Sequence, residues 1–428
     1  MKWQFRYMVI LISSLLLVAL GFVLWTSTQK KILRIGVYAG SSWDVPNSRE
    51  NRILDNIIRQ FEKSHPQVRV VYESGIPKKD YDGWLAEKIL KGEQPDVFMV
   101  PENDFSMLAA SGAFKSLDSL LSKDEVAAYY PVAYQAGQYQ GHSYALPIES
   151  NPVMMCVNKD LLEKEGVSIP DSNWTLEDLY AICQKVTKDT NGDGLIDQYG
   201  ITDYTWKQAL VAYNGHLRNQ SGVNVDSAEM HQALSFISKL TSLNQRYKVT
   251  SNDFDEGKVV FYPMSLAQYR TYKPYPYHVA KYSRFSWTCI PMPAAKAGIP
   301  ATQVKTSLFA MSSKTKQDKL AWEFMKLLCQ NQKTQQNLFE KSQGTSVLLS
   351  VVKSSQTKKI LQADDFGLNS LTSQRLDHMM KHSVLDISRD VDYHSLERID
   401  HLLENALKNN EIDSRLPSIQ REMEETGK

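Results

Sequence analysis

Gly141-His142-Ser143-Tyr144-Ala145-Leu146-Pro147, followed by Val157-Asn158-Lys159-Asp160-Leu161-Leu162 and then Asn173-Trp174-Thr175, is the run of sequence from which the fold is read. The residues from Lys159 to Glu165 carry helical spacing. Thr175 opens a second helix, Leu176 to Val186, in which Thr175 and Asp178 form a variant capping box and Trp174 and Leu179 a hydrophobic staple. On the N-terminal side, Leu33 to Tyr38 alternates apolar and polar residues as a first strand. After a loop, Ile53, Leu54, Ile57, Ile58 and Phe61 recur at helical spacing; Asn47 and Glu50 resemble a capping box before them and Pro66 stops the helix. Val68 to Tyr72 reads as a second strand, Tyr81 to Leu90 as a helix, and Asp96 to Val100 as a short buried strand between Pro95 and Pro101. Helical patterns continue at Phe105 to Ala110, Met230 to Leu243, Leu320 to Cys329, Gln335 to Lys341 and Leu396 to Leu407. Strands alternating with helices imply parallel pairing in an α/β fold.

The chain has 428 residues, which suits about two domains of ~150 to 200 residues each. No linker separates them, so the chain is expected to cross between lobes more than once. With 49 Lys and Arg against 48 Asp and Glu, the net charge is +1; no basic field is present to hold nucleic acid. Lys2 and Arg6 precede an apolar run from Tyr7 to Trp25, long enough to cross a bilayer. Its end, Leu24-Trp25-Thr26-Ser27-Thr28, is a poor cleavage site and no cysteine follows to take a lipid. An uncleaved membrane anchor is therefore expected ahead of a cleaved signal, with the rest of the chain outside the cell.

Cys156, Cys183, Cys289 and Cys329 show no metal-ligand spacing. In an exported chain an even number allows disulfides, whereas their apolar neighbours favour buried free thiols. Asp189, Asn191, Asp193 and Asp197 occupy positions one, three, five and nine of a calcium-type loop, with Gly194 at six and Leu195 at seven. Position twelve is Gly200 and lacks the usual bidentate Glu, so two readings stay open: bound calcium, or a metal-free Asx/Gly turn. No GxSxG, HExxH, P-loop or GxGxxG after a strand is present, which argues against an enzyme.

The opening run, together with Gln94-Pro95-Asp96-Val97, Gly112 to Asp118, Gly257-Lys258-Val259-Val260-Phe261 and Pro291-Met292-Pro293 in that order, resembles the extracellular solute-binding proteins of ABC importers. The similarity is to their carbohydrate-binding group, which includes maltose-binding protein. It implies an α/β, two-lobed periplasmic-binding-protein-like fold (type II) behind the N-terminal anchor or signal. Implied boundaries are 1–31 for the membrane segment, 32–148 plus 303–343 for the N-lobe, and 149–302 plus 344–428 for the C-lobe. Crossings between lobes are implied after the opening run, near Gly298 to Gln303 and near Gly344 to Ser346.

The resemblance also implies a small polar ligand, a sugar, in the interlobe cleft, where carboxylates and amides bond hydroxyls and aromatic rings stack on C–H faces. By position in the family pattern the candidates are Trp43, Glu102, Glu149 and Asn151, and in the C-lobe Tyr204, Trp206, Tyr262 and Tyr269. Ser265 and Ala267 stand where the family often has a glycine and a stacking tryptophan, and Tyr269 is the candidate replacement. The tyrosines at 272, 275, 277 and 282 form either a cleft lining or a packed surface loop. Implied partners are ABC transporter permease subunits or, alternatively, a membrane sensor; no cofactor is required.

Overall fold

The computed structural model describes residues 30–43, 50–101, 103–219, 222–245, 247–271, 285–363, 370–389 and 391–426. The expected membrane anchor, Asn47, Glu102 and the tyrosines from 272 to 282 lie outside the described residues. No described helix is long and apolar enough to cross a membrane.

The strands, numbered in chain order, are β1 (Lys31–Gly36), β2 (Val68–Tyr72), β3 (Val97–Met99), β4 (Gln138–Tyr139), β5 (His142–Ser143), β6 (Ala145–Asn158) and β7 (Tyr199–Ile201). They continue with β8 (Arg218–Asn219), β9 (Gly222–Val223), β10 (Val259–Ser265), β11 (Trp287–Ile290), β12 (Thr302–Met311), β13 (Thr345–Ser346) and β14 (Ser383–Leu385). β1 pairs in parallel with both β2 and β3, as the strand and helix alternation predicts. The helix Glu50–Ser64 buries Ile53, Ile57, Ile58 and Phe61 against this sheet and ends where Pro66 removes a donor. The capping box at Thr175 and Asp178 starts Leu176–Val186, with Asp178 Oδ2 accepting from the Thr175 N–H at 2.8 Å.

The two halves of the molecule are joined along β6, which is buried almost throughout its length. Its first part pairs antiparallel with β12 from Ala145 to Pro152, and its last residues pair with β11, from Met155 to Asn158, on the same flank. On the opposite flank β13 pairs with Glu149 and Ser150, and β10 with Val153 to Val157. Thus β6 and β12 both run from one lobe into the other.

A proline in a central strand ordinarily removes a ladder hydrogen bond. Here the Val304 carbonyl accepts from the Asp386 N–H at 3.2 Å, on the β14 side of β12. Val304 and its partner Pro152 therefore form a pair that exchanges no hydrogen bonds. The Pro152 nitrogen faces the other flank of β6, where β13 stops at Ser150 and β10 begins at Val153. Pro152 occupies the gap between two partners, and bending of β6 there breaks no ladder bond. A bulge between Ser307 and Leu308 adds a second irregularity beside it.

Two apolar clusters fill the molecule. One includes Leu33, Ile35, Phe61, Phe98 and Phe324, and extends to Met154 and Trp287; the other includes Val157, Trp174, Leu210, Phe261, Leu403 and Ile419. Beyond 344 the chain is shared between them. Val351, Leu361, Leu376 and Met380 lie in the first cluster, whereas Val391, Ile399 and Leu416 lie in the second. Helices Leu349–Val352 and Ser373–Lys381 pack on Gln332–Lys341 and Pro131–Ala136 respectively. Residues 349–381 therefore sit with N-lobe helices, unlike the single C-lobe segment 344–428 expected from the sequence. The amphipathic stripe of a helix states that one face is buried and not which surface buries it.

Candidate functional site

The first half of β6 carries three consecutive buried polar residues, Glu149, Ser150 and Asn151. Glu149 on β6 is 7 % exposed. Its Oε1 accepts from the Ser342 hydroxyl and, at 2.8 Å, from the Gly344 N–H. Ser342 and Gly344 belong to the turn between helix Gln332–Lys341 and β13. Gly344 is there because nothing larger fits: a Cβ would stand 2.5 Å from Glu149 Oε1 and 2.6 Å from its Cγ.

Arg270, in the helix Leu266–Thr271, reaches the same turn from the β10 side. Its Nη1 donates to the Gly344 carbonyl at 2.9 Å and its Nη2 to the Phe339 carbonyl at 2.8 Å, with the guanidinium 4.8 Å from the Phe339 ring centre. Trp43, 8 % exposed, closes the group. Its indole N–H lies beside the Glu149 carboxylate and lowers its pKa, but does not reach hydrogen-bond geometry and has no partner among the described residues. Burial is the largest influence on Glu149 and raises its pKa; Ser342, Gly344, Trp43 and the Arg270 charge oppose it, and the net shift is upward.

Asn151 stands two residues further along β6. Its Oδ1 accepts from the Ala267 N–H at 3.0 Å and so holds the start of the Arg270 helix. Ser265 and Gln268 cap that helix reciprocally, at 2.8 and 3.2 Å. Trp43, Glu149 and Asn151, nominated separately from the sequence, thus adjoin one interlobe node with Arg270, Ser342 and Gly344.

The model of the bacterial extracellular solute-binding protein family matches residues 56–364, most of the chain. The chain belongs to that family. The binding protein is 25 % identical over 138 residues to the maltotriose-binding protein of Pyrococcus abyssi, 32 % of this chain and 30 % of that one. It spans about a third of the length of the first curated relatives that it matches. Among solved structures it resembles the sugar-binding protein MalE of Xanthomonas citri, with a TM-score of 0.74 at 15 % identity over 92 % of this chain and 97 % of that one. A cyclo/maltodextrin-binding protein complexed with maltotetraose gives 0.71 at 14 % identity, over 93 % and 97 %. At these identities the similarity establishes the two-lobed α/β fold.

The aromatic candidates of the C-lobe lie elsewhere in the binding protein. Tyr269 is fully buried, with its hydroxyl 2.6 Å from Ser370 Oγ and its ring 5.6 Å from that of Trp287. Tyr262 is buried edge-on to Phe254. Tyr204 packs on Phe236, its buried hydroxyl without a hydrogen bond among the described residues. Trp206 donates its indole N–H to Asp400 at 2.7 Å, and Lys207 pairs with the same carboxylate at 2.8 Å. None of these four presents an open ring face in this conformation. Arg270 is the residue that sequence reading missed; the signal available was a lone cation closing the apolar stretch from Val259 to Tyr269.

The loop from Asp189 to Asp197 folds on itself. Asp189 accepts from Gly192 and Gly194 N–H at 2.7 Å, Asp193 from Leu195 N–H at 2.8 Å, and Asp197 from Thr190 N–H and hydroxyl at 2.8 Å. These backbone donors hold the Asp189 pKa below the usual carboxylate value. Among the described residues no three His, Cys, Asp or Glu side chains are placed to share a metal ion.

The raised pKa of Glu149 gives a pH signature. The folded state binds this proton more tightly than the unfolded state, so its contribution to stability is fully present below the unfolded glutamate pKa and lost as pH rises through the folded value. Glu149→Gln keeps an acceptor for Ser342 and Gly344. Relative to wild type, its unfolding free energy should therefore rise between pH 4 and pH 8, as measured by urea denaturation across that range. A constant difference between the two proteins would contradict the assignment.

Proposed function

We propose that this protein captures a carbohydrate between its lobes at the Trp43 and Glu149 node and hands it to the permease subunits of an ABC transporter. In this reading it is held at the outer face of the cell membrane by its N-terminal segment. The observation that carries the proposal is a buried indole donor, without a partner among the described residues, beside a buried carboxylate on the strand that joins the lobes. A ligand hydroxyl can accept from the indole and donate to the carboxylate at once, an arrangement suited to neutral polyols. The maltotriose, maltotetraose and MalE names of its relatives point to the same ligand class. A ligand that touches both lobes favours the closed form by its differential contacts. No cofactor enters the proposal.

The test is a thermal-shift screen of the protein against maltodextrins, other oligosaccharides, monosaccharides, amino acids and peptides. Saturation to 100 times Kd stabilises by about 2.7 kcal/mol, a shift of several degrees. Stabilisation by amino acids or peptides alone would reject the carbohydrate. Trp43→Ala should then weaken the sugar found at least about tenfold, or 1.4 kcal/mol, by isothermal titration. Tyr393→Ala, at a 65 % exposed position on another helix, should leave affinity unchanged.

A further inference from the structure

Cys156 on β6 and Cys289 on β11 are Cα partners in the antiparallel ladder, both fully buried, with sulfurs 3.6 Å apart. The Cys289 N–H donates to the Ser370 carbonyl at 2.8 Å, away from β6. The two cysteines thus form a pair that exchanges no backbone hydrogen bonds, the pair type with the shorter Cα separation of about 4.5 Å. That separation falls within the ~4.4 to 6.8 Å that a disulfide spans. Cys183 and Cys329 have different surroundings: Cys183 lies in the other apolar cluster, and the Cys329 sulfur is directed at the Leu146 carbonyl at 4.0 Å.

We infer that Cys156 and Cys289 form a disulfide when this chain matures in an oxidising extracellular environment, and that Cys183 and Cys329 remain thiols. Family membership places the protein where disulfides persist. The oxidant is a disulfide-bearing thiol compound or protein. The thiolate of one cysteine attacks it to form a mixed disulfide and release one thiol. The second cysteine then attacks the first sulfur, forming the Cys156–Cys289 bond and releasing the second thiol; the two protein protons pass to the two departing sulfurs. Because both sulfurs are inaccessible in the folded protein, the exchange belongs to the stage before β11 closes against β6. The bond would cross-link a long loop and stabilise the fold chiefly by restricting the unfolded chain. Both cysteines lie on the same side of the Pro152 gap, so the bond leaves lobe movement free.

The experiment refolds the reduced full-length protein with oxidised glutathione, traps free thiols in denaturant with N-ethylmaleimide, and maps the peptides by mass spectrometry. The expected result is two labelled cysteines, 183 and 329, and one linked peptide pair containing 156 and 289. A melting temperature several degrees above that of the reduced protein is also expected, and Cys156→Ala should abolish the difference. Four labelled cysteines would overturn the inference, as would a linked pair containing Cys183 or Cys329. A link without any change in melting temperature would reject the stabilising role. None of these readouts depends on the carbohydrate assignment.

Discussion

Arg270→Ala is expected to destabilise the protein by about 3 to 5 kcal/mol, the usual penalty for removing one partner from a buried charged network. The guanidinium serves the carbonyls of Phe339 and Gly344 and lowers the Glu149 pKa by its charge. Truncation takes the Arg270 donors from two carbonyls and removes a positive charge that favours the ionised form of Glu149. Arg270→Lys should recover only part of the loss, since one ammonium cannot reproduce a planar fork aimed at two acceptors. The same substitutions loosen the contact between the Leu266–Thr271 helix and the turn before β13, so affinity for the proposed ligand should fall with stability. Urea unfolding of the three proteins at pH 7 measures the effect; midpoints within about 0.5 kcal/mol of wild type, the range of ordinary surface changes, would show that Arg270 does not hold the node.

Gly137→Ala should rank beside it, at about 3 kcal/mol, the upper part of the overpacking range. Gly137 ends the helix Pro131–Ala136, and its carbonyl accepts from the Tyr144 and Ala145 N–H groups at 2.9 and 3.2 Å. A Cβ here would stand 2.0 Å from the Ala145 carbonyl oxygen and 2.9 Å from its carbon. These are backbone atoms at the start of β6 and cannot turn aside as a side chain can. The first residues of the crossing strand must shift, and the β12 register shifts with them. Gly83→Ala provides the contrast: no atom lies within 4 Å of a Cβ there, and the position is inside helix Lys78–Leu90. That change should stabilise by about 0.5 to 1 kcal/mol through helix propensity. If both substitutions lower the thermal midpoint equally, close backbone approach at Gly137 is not the cause.

What the sequence determined by itself was whatever local chemistry enforces. Val68–Tyr72 and Leu176–Val186 fall at their expected bounds, because alternation, a capping box and a staple act within a few residues. The ordered run through Gly141, Asn158 and Trp174 was enough to imply the family fold. Trp43, Glu149 and Asn151 could be nominated from that order, Trp43 just after β1 and the other two within β6. Only the tertiary structure decided that Glu149 is buried against Gly344 and that Arg270 donates to the same turn, since these residues meet through strands distant in sequence. It also turned Tyr204, Trp206, Tyr262 and Tyr269 inward. An aromatic ring in a core and one in a ligand cleft have the same sequence signature, since both remove apolar surface from water. Likewise, the stripes on the helices between 349 and 381 demanded burial, and the shape of the neighbouring lobe chose where. Periodicity and capping are set by neighbours along the chain, whereas burial, charge pairing and the meeting of Cys156 with Cys289 depend on which surfaces the whole fold brings together.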